Sequence, residues 1–352
     1  MTGKRTTTGG HRTTTGGHRT TTGGHRTTAP RPTVRTGDVA EELAAVQRIL
    51  ARERLSIDDP QPGRTCFLSH LGAQTKLVPG PWVGHRDLLY ALALANLSQP
   101  QRTSLARAVM IEHEREFGVG HLQLMALASG LPFGGSSLHL RHRSGGPTCL
   151  YTWALGPGAT PVPCDWLLLR AQPDWAIDPS PPVLRPEGLE MLAALGGEVV
   201  VLVPTAVGAV QIAKACAGKV ALAAHPRFAP HIEGHDPEAP VLLWPHDALD
   251  GAGLRRHEIA ALVLVGAPET VRQEAHAWRS RLGPRAESIE LVDVTCPGRL
   301  DREGLLAYWQ ACGQPRVLLR GDPSWVAAGT RMLSEHGGVV GVQPDATQLE
   351  LL

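Results

Sequence analysis

The chain has 352 residues, 42% of them hydrophobic and 19% charged, which supplies two or three ordinary globular cores and rules out a fibrous or wholly disordered protein. A net charge of +1 hides an uneven distribution. Residues 1–37 carry Lys4, Arg5, Arg12, Arg19, Arg26, Arg31 and Arg35 with no acid, so removing those seven cations from +1 leaves about −6: a basic tail on a mildly acidic body.

Cys66, Cys149, Cys164, Cys216, Cys296 and Cys312 are scattered, with no CxxC pair, and read as free, mostly buried thiols of a reducing compartment. No run approaches the roughly eighteen apolar residues that cross a bilayer, and the N-terminal stretch lacks the apolar segment of a secretion signal. A cytoplasmic protein with no membrane partner is expected.

Residues 6–26 are three copies of TTTGGHR, each with two glycines, one arginine and no apolar side chain. Such a unit cannot offset the entropy of ordering, so residues 1–37 read as a disordered basic tail. It is either a multivalent tag for nucleic acid or an acidic partner, or simple repeat expansion.

From Asp38 a helix is expected, with Val39, Leu43, Val46, Ile49 and Leu50 on one face. RTCFLSHLG is strand or helix. Leu88 to Leu94 give a second apolar helical face, Ser98 and Gln101 a capping box before Leu105 to Ile111, and His121 to Ser129 a third helix. Glu112, His113, Glu114, Glu116 and His121 invite a metal reading that their spacing does not support. SSLHLRHR, PTCLYTWAL and CDWLLLRA then read as a three-stranded antiparallel meander, with His139, Arg141 and Arg143 as a basic edge. Residues 38–172 thus form a helical plus β-meander domain, and a proline-rich linker at 173–186 separates it from an α/β domain at 187–352.

In that last part four apolar runs (199–203, 220–224, 241–244, 261–265) and ESIELVD alternate with helical or loop segments. Continuous apolar strands separated by helices imply a doubly wound, mostly parallel sheet with its chemistry at the strand C-termini. Further alternation through RVLLR and VVGV continues the pattern to the end of the chain.

Residues 197–294 resemble the second RecA-like domain of superfamily 2 helicases. VVVLVPT, ending at Thr205, fills the place of the family's strand ending in V-P-T. Gly253 and Leu254 fill the G-L of its later motif, and Pro268 follows Gly253 at the family's interval. The departures fall on functional positions. Arg255 stands where the family has its nucleotide-site Asp, Asp247 where it has a nucleic-acid-contacting Thr, and Ala248 where it has the next Asp. Arg279 and Arg281 in HAWRSRLG stand near the arginine-finger position without its R-x-G-R frame. No G-x-x-x-x-G-K-[ST] loop cradles a nucleotide phosphate and no D-E-x-H box is present.

The resemblance therefore implies a RecA-like scaffold without a motor, needing no cofactor: an accessory protein of a bacterial multi-protein assembly, of the defence or conflict type, whose ATPase is a separate chain. Nucleic acid remains a partner through the basic tail. The rival class is an enzyme acting on a small molecule with the strand-end carboxylates Asp250 and Asp322. Ser69, Cys66 and Cys296 lack an elbow or base partner that would make them nucleophiles.

Overall fold

The computed structural model describes residues 48–58, 61–71, 78–95, 97–171, 183–194, 196–249, 254, 259–281 and 288–343. It is an α/β protein with three sheets, mostly parallel, as the apolar runs predict. Two boundary expectations, the tail at 1–37 and most of the linker at 173–186, lie outside the described residues.

The first sheet has four parallel strands in the order β1 (Leu55–Ile57), β2 (Thr65–Leu68), β3 (Trp82–His85) and β4 (Val109–Ile111). Helix α1 (Arg86–Ala93) buries Leu88, Leu89, Ala91 and Leu92. Helix α2 (Gln99–Ala106) opens on Ser98 with the expected capping box, in which Gln101 accepts from the Ser98 backbone.

The second sheet carries the alternation seen around residue 200. Strands β10 (Glu198–Val203), β11 (Leu222–Ala224), β12 (Val241–Pro245), β13 (Ile259–Val265) and β14 (Glu290–Val294) are all parallel, in the order β11-β12-β10-β13-β14. The central strand shows why its sequence is unbroken Val and Leu. Val199, Val201 and Val203 enter one core with Leu189 and Ile212, while Val200 and Leu202 enter the other with Ala275 and Trp278. A strand covered on both faces has no polar side to alternate with. Helices α3 (Pro186–Ala193), α4 (Ala206–Cys216) and α5 (Glu269–Arg281) belong to this layer.

The third sheet joins both halves of the chain. Its order is β16 (Val340–Gln343), β15 (Arg316–Arg320), β9 (Trp166–Arg170), β8 (Cys149–Thr152), β7 (Ser136–His142), β6 (Leu122–Ala128) and β5 (Glu116–Val119). Pairing is parallel from β16 to β8 and antiparallel from β8 to β5.

Three local expectations are corrected here. Residues 109–128 form strands rather than the end of one helix and a third helix. LQLMALA is apolar at nearly every position, but Leu122, Leu124 and Ala126 bury with period two. Of the three strands expected as an antiparallel meander only β7 and β8 pair that way, because the segment after Thr152 crosses over and returns β9 parallel to β8. The last two strands leave the second sheet for the third, where α6 (Arg302–Ala311) and α7 (Pro323–Glu335) cover β9 and β15. Tyr308, Trp309, Trp325 and Met332 pack there against Leu167, Leu169, Val317 and Leu319. No helix among the described residues is long and apolar enough to cross a membrane.

Candidate functional site: an arginine-lined sheet edge

Parallel strands gather whatever follows their last residues at one edge, and in the third sheet β8, β9 and β15 end together. Thr152 is in register with Leu169, and Arg170 with Arg320. Trp153, Arg170 and Arg320 therefore meet. The Arg170 guanidinium carbon lies 4.2 Å from the Trp153 ring centre and that of Arg320 lies 4.9 Å away. Gly321, at φ +132°, makes the turn from β15 into α7 in a conformation that a side chain would strain.

The first sheet delivers a second group to the same place. Asp58 follows β1 and takes a left-handed backbone, φ 56°, which the short Asp side chain tolerates better than most. Its carboxylate is nearly buried and fully engaged. Oδ1 accepts from the Ser69 N–H at 2.7 Å, and Oδ2 accepts from Ser69 Oγ at 2.5 Å and from the Tyr151 hydroxyl at 2.8 Å. Arg320 Nη2 in turn donates to that hydroxyl. Burial pushes the Tyr151 phenol well above its usual range, so it keeps the proton it gives to Asp58. Asp58 thus holds Tyr151, and Tyr151 holds Arg320.

His70 completes the cluster, stacked on Trp153 with ring centres 4.7 Å apart, and its Nδ1 lies 2.8 Å from Ser69 Oγ. Serine, histidine and aspartate are adjacent, but the proton order is wrong for a nucleophile. The single Ser69 hydroxyl proton is committed to Asp58, so His70 Nδ1 must donate to Oγ and cannot withdraw a proton from it. Burial, first, and the nearby Arg170, Arg320 and Arg299 lower the His70 pKa to about 4 against the pull of Asp58, which leaves the imidazole neutral at pH 7.

Arg299 comes from the second sheet, on the loop after β14. The Leu300 N–H bonds the Leu155 carbonyl at 3.0 Å, which ties that loop to the segment following Trp153. The same guanidinium acts on His246, at the end of β12, whose pKa is lowered to about 4, chiefly by burial. His246 Nε2 bonds the Leu202 carbonyl at 3.1 Å. All three sheets thus direct C-terminal ends toward one region, where Arg170 and Arg320 lie over Trp153 and the buried Asp58 carboxylate holds Tyr151.

The described residues singled out from sequence take structural roles, with Asp322 doing so beside this edge, after β15. Thr205 caps α4, accepting from the Gly208 N–H at 3.1 Å. Asp247 forms an ion pair with Arg227 at 2.6 Å. Asp322 caps α7, accepting from the Ser324 N–H at 2.9 Å. Arg279 and Arg281 lie in the last turn of α5, where cations complement the helix dipole. Asp250, Gly253 and Arg255 lie outside the described residues. Thr205 and Asp247 share an edge of the second sheet, whereas Asp322 belongs to the third, so these positions do not form one site. The basic edge is partly neutralised, since Arg141 pairs with Glu116 at 2.8 Å.

Sequence reading missed Asp58, His70, Tyr151, Trp153, Arg170, Arg299 and Arg320. One signal was present: WLLLR and RVLLR are apolar strands that each stop on arginine, and strand C-termini are where a parallel sheet presents its chemistry.

No family model matches the chain, and no curated protein matches it. Among solved structures, a protein of unknown function from Enterococcus faecalis V583 aligns with a TM-score of 0.46 and 12% identity, over 76% of this chain and 79% of that one.

Proposed function

We propose that the protein is a non-catalytic, ligand-binding accessory subunit whose recognition site is the arginine-lined edge, and that its ligand is a small anion. The observation that carries this reading is the placement of the Arg170 and Arg320 guanidiniums over Trp153, beside His70, with Arg299 acting electrostatically on the same histidine. Like charges brought near one another repel, by about 1 kcal/mol for a pair at 4 Å in water and by more where water is excluded. Among the described residues no carboxylate forms an ion pair with Arg320 or Arg299. An arrangement that opposes folding and is nonetheless held by Asp58 and Tyr151 suits a counter-charge supplied by a ligand.

The helicase-like reading of residues 197–294 stays with this proposal as a scaffold. It is supported by the all-parallel five-stranded sheet formed between residues 198 and 294, and it leaves energy-dependent work to a separate chain. In this reading the protein does not hydrolyse ATP. The test is calorimetric titration of inorganic anions into the wild-type chain and into Arg170→Ala and Arg299→Ala. Binding that either substitution weakens at least tenfold supports the reading; equal binding by all three proteins would sink it.

A further inference from the structure

We propose that Cys164 and Cys312 form a reversible oxidation site, in which a peroxide closes the two thiols to a disulfide. The proposal is independent of any ligand at the arginine-lined edge. Cys164 precedes β9 and Cys312 precedes β15, whereas Arg170 and Arg320 stand at the far ends of those strands.

Backbone geometry brings the pair together. Cys312 ends α6 as its C-cap, and Cys164 stands two residues before β9. The Cys164 N–H donates to the Cys312 carbonyl at 3.2 Å, and the Arg316 N–H donates to the Asp165 carbonyl at 3.0 Å, where β15 and β9 begin to pair. A backbone hydrogen bond of this kind holds Cα atoms about 5–6 Å apart. That lies inside the roughly 4.4–6.8 Å that a disulfide bridges. Both side chains also enter the core between α6 and the third sheet, with Tyr308, Trp309 and Val317. The thiols hydrogen bond one another, a contact that raises the pKa of Cys164 and lowers that of Cys312.

Exposure separates the roles of the two sulfurs. Of the six cysteines Cys164 alone is half-exposed, while Cys312 is fully buried, so a peroxide meets Cys164 first. Loss of one proton from the pair leaves the other shared between two sulfurs, and Cys164 Sγ can then carry the thiolate. It attacks one oxygen of hydrogen peroxide, the O–O bond breaks and hydroxide leaves, which gives a sulfenic acid on Cys164. Cys312 Sγ next attacks Cys164 Sγ, the S–O bond breaks, and the oxygen leaves as water with the last thiol proton. In sum, two thiols lose two electrons and two protons, and one peroxide becomes two waters. A dithiol reductant runs the couple backwards, as a reducing compartment requires. The bond joins the end of α6 to the entry of β9 across a long stretch of chain, so the oxidised protein should resist unfolding better than the reduced one.

The experiment exposes the full chain to hydrogen peroxide, alkylates the remaining thiols after unfolding and maps the peptides by mass spectrometry, with Cys164→Ser and Cys312→Ser as comparisons. Free thiols are expected to fall from six to four as two are joined, with one peptide linked between residues 164 and 312 that dithiothreitol removes. The urea midpoint of the wild-type chain should rise on oxidation, and that of Cys164→Ser should not. Should Cys312→Ser fail to fold at its buried position, Cys164→Ser decides: it should show no linked peptide. Six thiols still open to alkylation after excess peroxide would overturn the assignment. So would a link from Cys164 to Cys149, or a sulfinic acid on Cys164 with Cys312 still free. A link formed only with a fall in the urea midpoint, the mark of a bond that the native backbone does not accommodate, would overturn it as well.

Discussion

At the scale of single residues the structure turns on one shared hydroxyl. Tyr151 donates to Asp58 and accepts from Arg320, so it is the only link in the described network between the first sheet's carboxylate and the third sheet's cation. Removing the oxygen leaves a buried carboxylate one donor short, and hydrogen bonds to charged groups contribute about 1.5–3 kcal/mol each. Tyr151→Phe should therefore lower the free energy of unfolding by about 2 kcal/mol in urea titrations and weaken anion binding along with it. A variant with unchanged stability would show that the relay is not formed. Ser69 is the instructive neighbour. It stood among nucleophile candidates without a partner, and the structure gives it two, yet in an order that fixes its proton on Asp58.

At the scale of elements, Asp322 separates the two functional readings. As the N-cap of α7 it satisfies the Ser324 N–H, and loss of such a cap costs about 1 kcal/mol. Asp322→Ala should lower stability by that amount and leave anion affinity within twofold of wild type. A large loss of affinity or of any catalytic turnover would instead favour the strand-end carboxylate enzyme. Elements also show what could be read from sequence and what could not. VVVLV, PVLLW and ALVLV announce buried parallel strands because burial on both faces forbids polar alternation, and all three are strands at those places. LQLMALA misled because its apolar density masks period two, and only the pairing of β6 with β5 and β7 makes that period decisive. RVLLR was legible as a strand, but not its choice of neighbour. Pairing with β9 depends on how α6 and α7 cover the third sheet, which is a tertiary matter. The site was illegible for the same reason: Asp58, His70, Tyr151, Arg299 and Arg320 lie far apart in the chain and are individually ordinary, and only sheet order brings them together.

At the scale of the whole molecule, two buried histidines contribute to the response to acid. His70 and His246 each have a pKa lowered from 6.5 to about 4, mainly by burial. Between those values the unfolded chain binds protons that the folded chain does not, so stability rises with pH in this window and is lost as pH falls through it. Each group contributes up to roughly 3 kcal/mol at neutral pH by that linkage. Urea unfolding at pH 7 and pH 5 should show a clear fall in stability at the lower pH, and His246→Gln should flatten the dependence. A protein equally stable at both would mean that the histidines are not buried neutral.

The central claim, that three sheets present one anion site at the ends of β8, β9 and β15, is tested most directly by hydrogen exchange of the full chain with and without saturating phosphate. The account predicts slowed exchange in segments 151–156, 169–171, 299–301 and 319–322, and little change at 204–208. Protection confined to that last segment, at the helicase-like end of β10, would contradict it.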